Sequence, residues 1–147
     1  MTGSGSVPLR VLDGVVVPDV VFVAQFEAAG LAYRSRPDDA RAQGILDTFA
    51  WVCDLSGYAP TSGQVVGGNG TRVKVEALLA TELLQDGVIW RPTRAVALLH
   101  GYREPLVAAG TTRRRLEGVL ITLLWMFVEG QPAPHPWPGV GHLPGVE

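Results

Sequence analysis

Cysteine is almost missing from this chain, and that absence excludes a good deal. Cys53 stands alone among 147 residues, so there is no intramolecular disulfide and no cysteine-built metal site. It lies in an apolar, helix-like stretch with no neighbouring His or cation in sequence to activate a thiolate, and reads as a buried thiol. Histidine is scarce too: His100, His135 and His142. Two of these fall in a Pro/Gly-rich tail, a poor place to fix catalytic geometry, and His100 falls near a helix end, where His is favourable for electrostatic reasons. His135 and His142 as a metal pair have only Glu147 as a nearby acid. Excess charge is also lacking. Lys+Arg number 12 against Asp+Glu 14, a net charge of −2, whereas a general nucleic-acid binder is usually more basic.

Long apolar runs are absent as well. The longest, Val119 to Val128, is interrupted by Thr122 and bounded by Arg115, Glu117 and Glu129. A membrane span needs about 20 residues, so this run predicts a buried core helix and no membrane partner. The start, Met1-Thr-Gly-Ser-Gly-Ser, has no charged segment followed by an apolar core. The expected location is the cytoplasm, or a virion if the chain is phage-encoded.

What is present suits one compact domain. Hydrophobic residues make up 47%, enough for a core and too many for global disorder. The pattern predicts a mainly α fold of about five helices with short β-ribbons. Residues 1–6 form a flexible tail, 7–129 one helical domain, and 130–147 a Pro/Gly-rich extended arm. Asp13-Gly14 between β-branched flanks is a two-residue hairpin signal. Pro18-Asp19 opens a first helix at about 18–33, with Phe22, Val23, Phe26 and Ala29 at helical spacing. Ser35-Arg-Pro37-Asp38-Asp39 marks the start of a second, lined by Ile45, Phe49, Val52 and Cys53 and stopped by Gly57. Residues 58–71 form a long Gly-rich loop. A third helix follows at about 73–85, then a strand-like Val88-Ile-Trp90, a fourth helix at about 92–102, and a fifth at about 112–129 capped by Thr112.

Two segments resemble each other. Arg41-Ala-Gln-Gly44-Ile-Leu-Asp-Thr48-Phe-Ala-Trp51 aligns without gaps on Arg115-Leu-Glu-Gly118-Val-Leu-Ile-Thr122-Leu-Leu-Trp125. Asp13-Gly-Val-Val-Val-Pro18 resembles Asp86-Gly-Val-Ile-Trp-Arg-Pro92, and each copy leads on to Ala-Pro (Ala59-Pro60, Ala133-Pro134). One reading is an internal duplication of a ribbon-helix-helix unit, 9–60 and 82–134, that makes Gly44/Gly118 and Trp51/Trp125 packing equivalents about a pseudo-twofold axis. The other is chance likeness between two amphipathic helices.

No catalytic constellation emerges. Asp38-Asp39 are adjacent and diverge on a helix, so they read as a helix start. Gly67-Gly-Asn-Gly-Thr71 lacks both the Gly-Lys-Ser/Thr ending of a phosphate-binding loop and the spacing of a dinucleotide fingerprint. The expectation is therefore no enzyme, no cofactor and no metal.

Two features point to binding instead. Arg113-Arg114-Arg115, with Arg103, form a candidate basic patch, and the stretch around 103–120 loosely resembles a helix-turn-helix that reads DNA. Pro105 and the apolar run after Leu116 argue against that reading. Trp137 between Pro136 and Pro138 is a large aromatic on a stiff strand, the form of many interface anchors. Both tails carry little signal for folding alone, which points to neighbouring subunits that hold them. The Val/Ala/Gly/Pro/Arg-rich composition resembles that of proteins from high-GC bacteria or their phages. Together these features predict a structural or adaptor protein in a larger assembly, itself oligomeric or bound to protein partners, with a small DNA-binding regulator as the alternative.

Overall fold

The computed structural model describes residues 11–135. Within them the chain is mainly helical, with five helices: α1 (Asp19–Ser35), α2 (Ala40–Val52), α3 (Gly70–Gln85), α4 (Arg91–Leu99) and α5 (Arg113–Phe127). None is long and apolar enough to cross a membrane.

The helix starts follow from their caps. A helix leaves its first N–H groups unpaired, and a short polar side chain just before it supplies the acceptor. Asn69 accepts from Arg72 N–H at 2.8 Å and Thr112 from Arg115 N–H at 3.2 Å. At α2 the cap is Asp39, which accepts from Arg41 N–H at 3.0 Å, so Ser35 is left as the last residue of α1. The Gly-rich loop is correspondingly shorter than its composition indicates, because Asn69 starts α3 at Gly70.

The centre of the fold is the α2–α5 pair. Four residues give it its closeness. A Cβ on Gly44 would lie 2.3 Å from the Arg115 carbonyl oxygen, and one on Gly118 would lie 2.4 Å from that of Arg41. Thr48 and Thr122 each donate a hydroxyl back to Gly44 O and Gly118 O, both at 2.7 Å. An aromatic cluster closes one side: Phe49 meets Phe22 at 5.1 Å and Phe26 at 5.0 Å between ring centroids, and Phe22 stacks on Trp125 at 6.3 Å. Trp51 and Trp125 are both buried. α1 covers α2, and α3 covers α5.

The expected β-ribbons are not formed. Among the described residues there is no strand, and an isolated bridge joins Tyr58 to Val65. Asp13-Gly14 does make a turn, with Gly14 at φ +97°. Its flanks do not pair with each other. Leu12 N–H donates to Val52 O at 3.3 Å and Val16 N–H to Met126 O at 2.7 Å. The last carbonyls of a helix have no partner of their own, and the ends of α2 and α5 capture this segment before a hairpin can. Val88-Ile-Trp90 is likewise no strand, since Trp90 N–H is taken by the Glu82 carboxylate at 2.9 Å.

Duplication of the whole ribbon-helix-helix unit is not supported either. Among the described residues there is no ribbon in either half. α1 packs on α2, whereas α4, at the corresponding place in the second half, packs chiefly on α3.

Candidate interaction surface

The sequence placed candidate function on arginines and on the Pro/Trp arm. Residues 103–112 contain no helix, so the two-helix arrangement expected around 103–120 does not form. Arg103 is tied through its backbone. Its N–H donates to Gln64 Oε1 at 2.7 Å, and the Gln64 amide returns a bond to Arg103 O.

The three consecutive arginines are engaged within the chain. Arg113 donates to Leu84 O at 2.9 Å and faces Glu117 at 3.6 Å. Arg114 meets Asp39 at 3.3 Å. Arg115 pairs with Asp47 at 2.8 Å and also donates to Pro60 O. Three cations at a helix start oppose the helix dipole, but the acids of α2 lie beside them and offset that. Burial pushes the Asp39 carboxyl up. The bond and charge of Arg114, with the Arg41 N–H, outweigh it and hold the group below its ordinary value. Pro136, Trp137 and Pro138 lie outside the described residues.

Two buried acids on α3, which the sequence reading passed over, organise the loops. Glu76 has no exposed surface, and its carboxylate accepts from Thr61 N–H (2.6 Å), Ser62 N–H (2.9 Å), Ser62 Oγ (2.8 Å) and Tyr102 Oη (2.7 Å). Burial pushes Glu76 above the usual carboxylate range despite these donors. It also raises Tyr102, which further faces the Glu76 charge. Glu82 takes Trp90 N–H and the Thr93 hydroxyl. In sequence both glutamates look like ordinary polar positions of an amphipathic helix. Their partners lie 8 to 26 residues away, so no local pattern reveals them. Ser62 beside Glu76 offers a hydroxyl next to a carboxylate, but both are sealed from solvent. Burial pushes the Cys53 thiol up to about 11, which keeps it from acting as a thiolate. Among the described residues no three His, Cys, Asp or Glu side chains gather as metal ligands.

The outer side of α1 leaves apolar side chains exposed. Its inner side buries Phe22, Gln25 and Ala29. Val20, Val23, Glu27 and Leu31 recur at helical spacing on the other side, and Val20 is 75% and Leu31 55% exposed. Val23, Phe26, Leu31 and Leu46 line a groove of about 690 Å³ whose polar rim includes Glu27 and Arg34. Scattered exposed apolar residues are normal, but a contiguous apolar surface with a polar rim is the form of an interaction site. Trp90, which precedes α4, and Leu99, its last residue, are exposed too. The composition of α1 carried this signal: Val20, Val23 and Leu31 lie on the side away from Phe22 and Ala29, so apolar residues occur on both sides of the helix. Comparison of the chain with protein families, curated proteins and solved structures finds no match.

Proposed function

We propose that this chain is a non-enzymatic structural or adaptor protein of a multi-subunit assembly, of the virion-like kind, and that α1 is its docking face. The observation that carries this reading is the apolar groove along the outside of α1. The occupant that suits it is a helix of a partner protein. A helix laid in this groove covers Val23, Phe26 and Leu31 together, and one that sets a cation against Glu27 and an acid against Arg34 answers both charges of the rim.

Magnitudes define the partner further. Fully burying an exposed Val or Leu contributes roughly 1.5–3 kcal/mol, while association costs on the order of 4–15 kcal/mol. The stripe therefore serves as the core of a larger contact, about 1,200–2,000 Å² in total for a stable pair. The DNA-binding alternative has less support, because the guanidinium groups of Arg113, Arg114 and Arg115 are occupied within the chain. The duplication idea survives as a proposal for α2 and α5 alone, supported by their matched glycine and threonine contacts.

The test is native mass measurement of the full chain co-expressed with the products of its neighbouring genes. A defined complex that dissociates when Leu31 is changed to Asp, with the helical content of the variant intact, supports the reading. A chain that runs as a monomer under all such conditions, or a complex indifferent to Leu31→Asp, overturns it.

A further inference from the structure

After α5 the chain turns back at Gly130 and lays Ala133, Pro134 and His135 against α1 and α2. Ala133 packs on the core, and His135 is only 6% exposed. Two side chains form the seat. The Gln25 amide, itself without exposed surface, donates to His135 O at 3.2 Å and accepts from His135 N–H at 3.3 Å. Arg41 donates to Pro134 O at 3.1 Å. All three contacts grip backbone, and they are at the long end of the hydrogen-bond range. The imidazole is treated differently. Its Nε2 is buried without a hydrogen-bond partner.

We propose that Ala133–His135 is an acid-released latch: a proton on the His135 imidazole expels the segment from its seat and uncovers the Gln25 amide and the Arg41 guanidinium. A neutral imidazole tolerates a buried, unpartnered nitrogen at moderate cost. An imidazolium in the same place is a buried cation with nothing to receive its second N–H, which structures avoid by undocking or by staying neutral. The charges that reach this ring come from the start of α2. Arg41 opposes a second cation beside it, while Asp39 favours one but is already engaged by Arg114 of α5. From α1 the neutral Gln25 meets the His135 backbone and brings no charge to the site.

The direction of the pH effect follows. Burial first, and Arg41 second, hold His135 below its ordinary 6.5 in the docked state. A base depressed in this way favours docking above the free value and loses it as pH falls below. In that window the equilibrium for release rises about tenfold per pH unit.

The experiment is NMR of the full chain from pH 7.5 to 5, following the Gln25 side-chain amide and the His135 ring, with circular dichroism as a check on the helices. The expected result is that the Gln25 amide moves from a bonded to a free position as pH falls while the helices persist, and that His135→Gln abolishes the movement. A Gln25 amide that stays bonded at pH 5, or that moves identically in His135→Gln, overturns the latch. If His135→Gln is already undocked at pH 7.5, the native ring decides. A titration midpoint below 6.5 that coincides with the freeing of the Gln25 amide supports the latch, and one that leaves the amide bonded, or that lies at or above 6.5, overturns it. Neither result depends on whether α1 docks a partner.

Discussion

Gly44 and Arg115 meet where two helix backbones nearly touch. A methyl group on Gly44 would stand 2.3 Å from the Arg115 carbonyl oxygen, well inside van der Waals contact. The reciprocal contact of Gly118 with Arg41 O is as tight. Alanine is the better helix former by about 1 kcal/mol, so on an isolated helix either Gly→Ala change stabilises. Here the clash is with backbone and cannot be relieved by a rotamer change. Overpacking of this kind costs typically 1–3 kcal/mol, and the net expectation for Gly44→Ala or Gly118→Ala is a loss of up to about 2 kcal/mol. Urea unfolding measures it. A variant that unfolds at higher urea than the parent would show that α2 and α5 are not this close.

Glu76 gives a prediction with a sign. Its pKa is raised in the folded chain by burial, so the fold binds a proton there more tightly than the unfolded chain does. Stability from this group is therefore fully present below the ordinary value of 4.5 and declines as pH rises above it. Asp39 acts oppositely: its depressed pKa gives stability above 3.8 that is lost on acidification. Glu76→Gln keeps an acceptor for Thr61 and Ser62 N–H, and the Ser62 and Tyr102 hydroxyls can turn to accept from the new amide. Denaturation from pH 4.5 to 7 is expected to show a flatter pH profile for Glu76→Gln than for the parent, with a loss of no more than about 1–2 kcal/mol. Glu76→Ala, which orphans all four donors, is expected to unfold the 58–66 loop. An unchanged slope in Glu76→Gln would remove this group from the pH dependence.

Arg115 joins three elements: Asp47 on α2, the Pro60 carbonyl in the loop, and its own helix α5. Its side chain is only 16% exposed, against 52% for Asp47, so the guanidinium is sheltered while the acid stays open to screening. Lysine carries the charge but not the fork that reaches both acceptors. Arg115→Lys is expected to cost about 1–2 kcal/mol, more than Arg113→Lys, whose side chain is 68% exposed. Equal melting temperatures for the two variants would refute the distinction.

Legibility divides along the range of the interaction. Helical periodicity and polar caps are local, so all five helices were readable, and Thr112 as the cap of α5 was read directly from sequence. The Asp13-Gly14 turn was readable for the same reason. What its flanks bond to was not, because Val52 O and Met126 O are supplied by distant helix ends. Gly44 and Gly118 stood out only by their matching positions, which could not distinguish shared packing from chance. The arginines misled because a run of like charge is visible in sequence, while Asp39 and Asp47, which answer Arg114 and Arg115, are brought to it by the α2–α5 contact; Glu117, facing Arg113, is the local acid. Glu76, Glu82 and Gln25 have no local signature at all.

Trp51 offers a test of how the Gly-rich loop is held. Its indole Nε1–H donates to Val66 O at 2.8 Å, and both residues are buried. The ring lines a cavity of about 330 Å³ together with Val11, Leu12 and Gly68, while the N–H fixes the loop leading into α3. Phenylalanine keeps much of the apolar volume and lacks the donor, which leaves a buried carbonyl with one partner fewer. Such an orphaned group costs about 1–3 kcal/mol, and the lost ring volume adds to it. Hydrogen exchange separates the two contributions. Loss of packing alone loosens α2 as a whole, whereas loss of the anchor raises exchange first at residues 64–68, ahead of the helices. Trp51→Phe is expected to show the second pattern. Exchange that rises evenly through α2 and leaves 64–68 no more labile than before would mean that the indole serves as filler and that the loop is held by its other contacts, those of Glu76, Arg115 and Gln64.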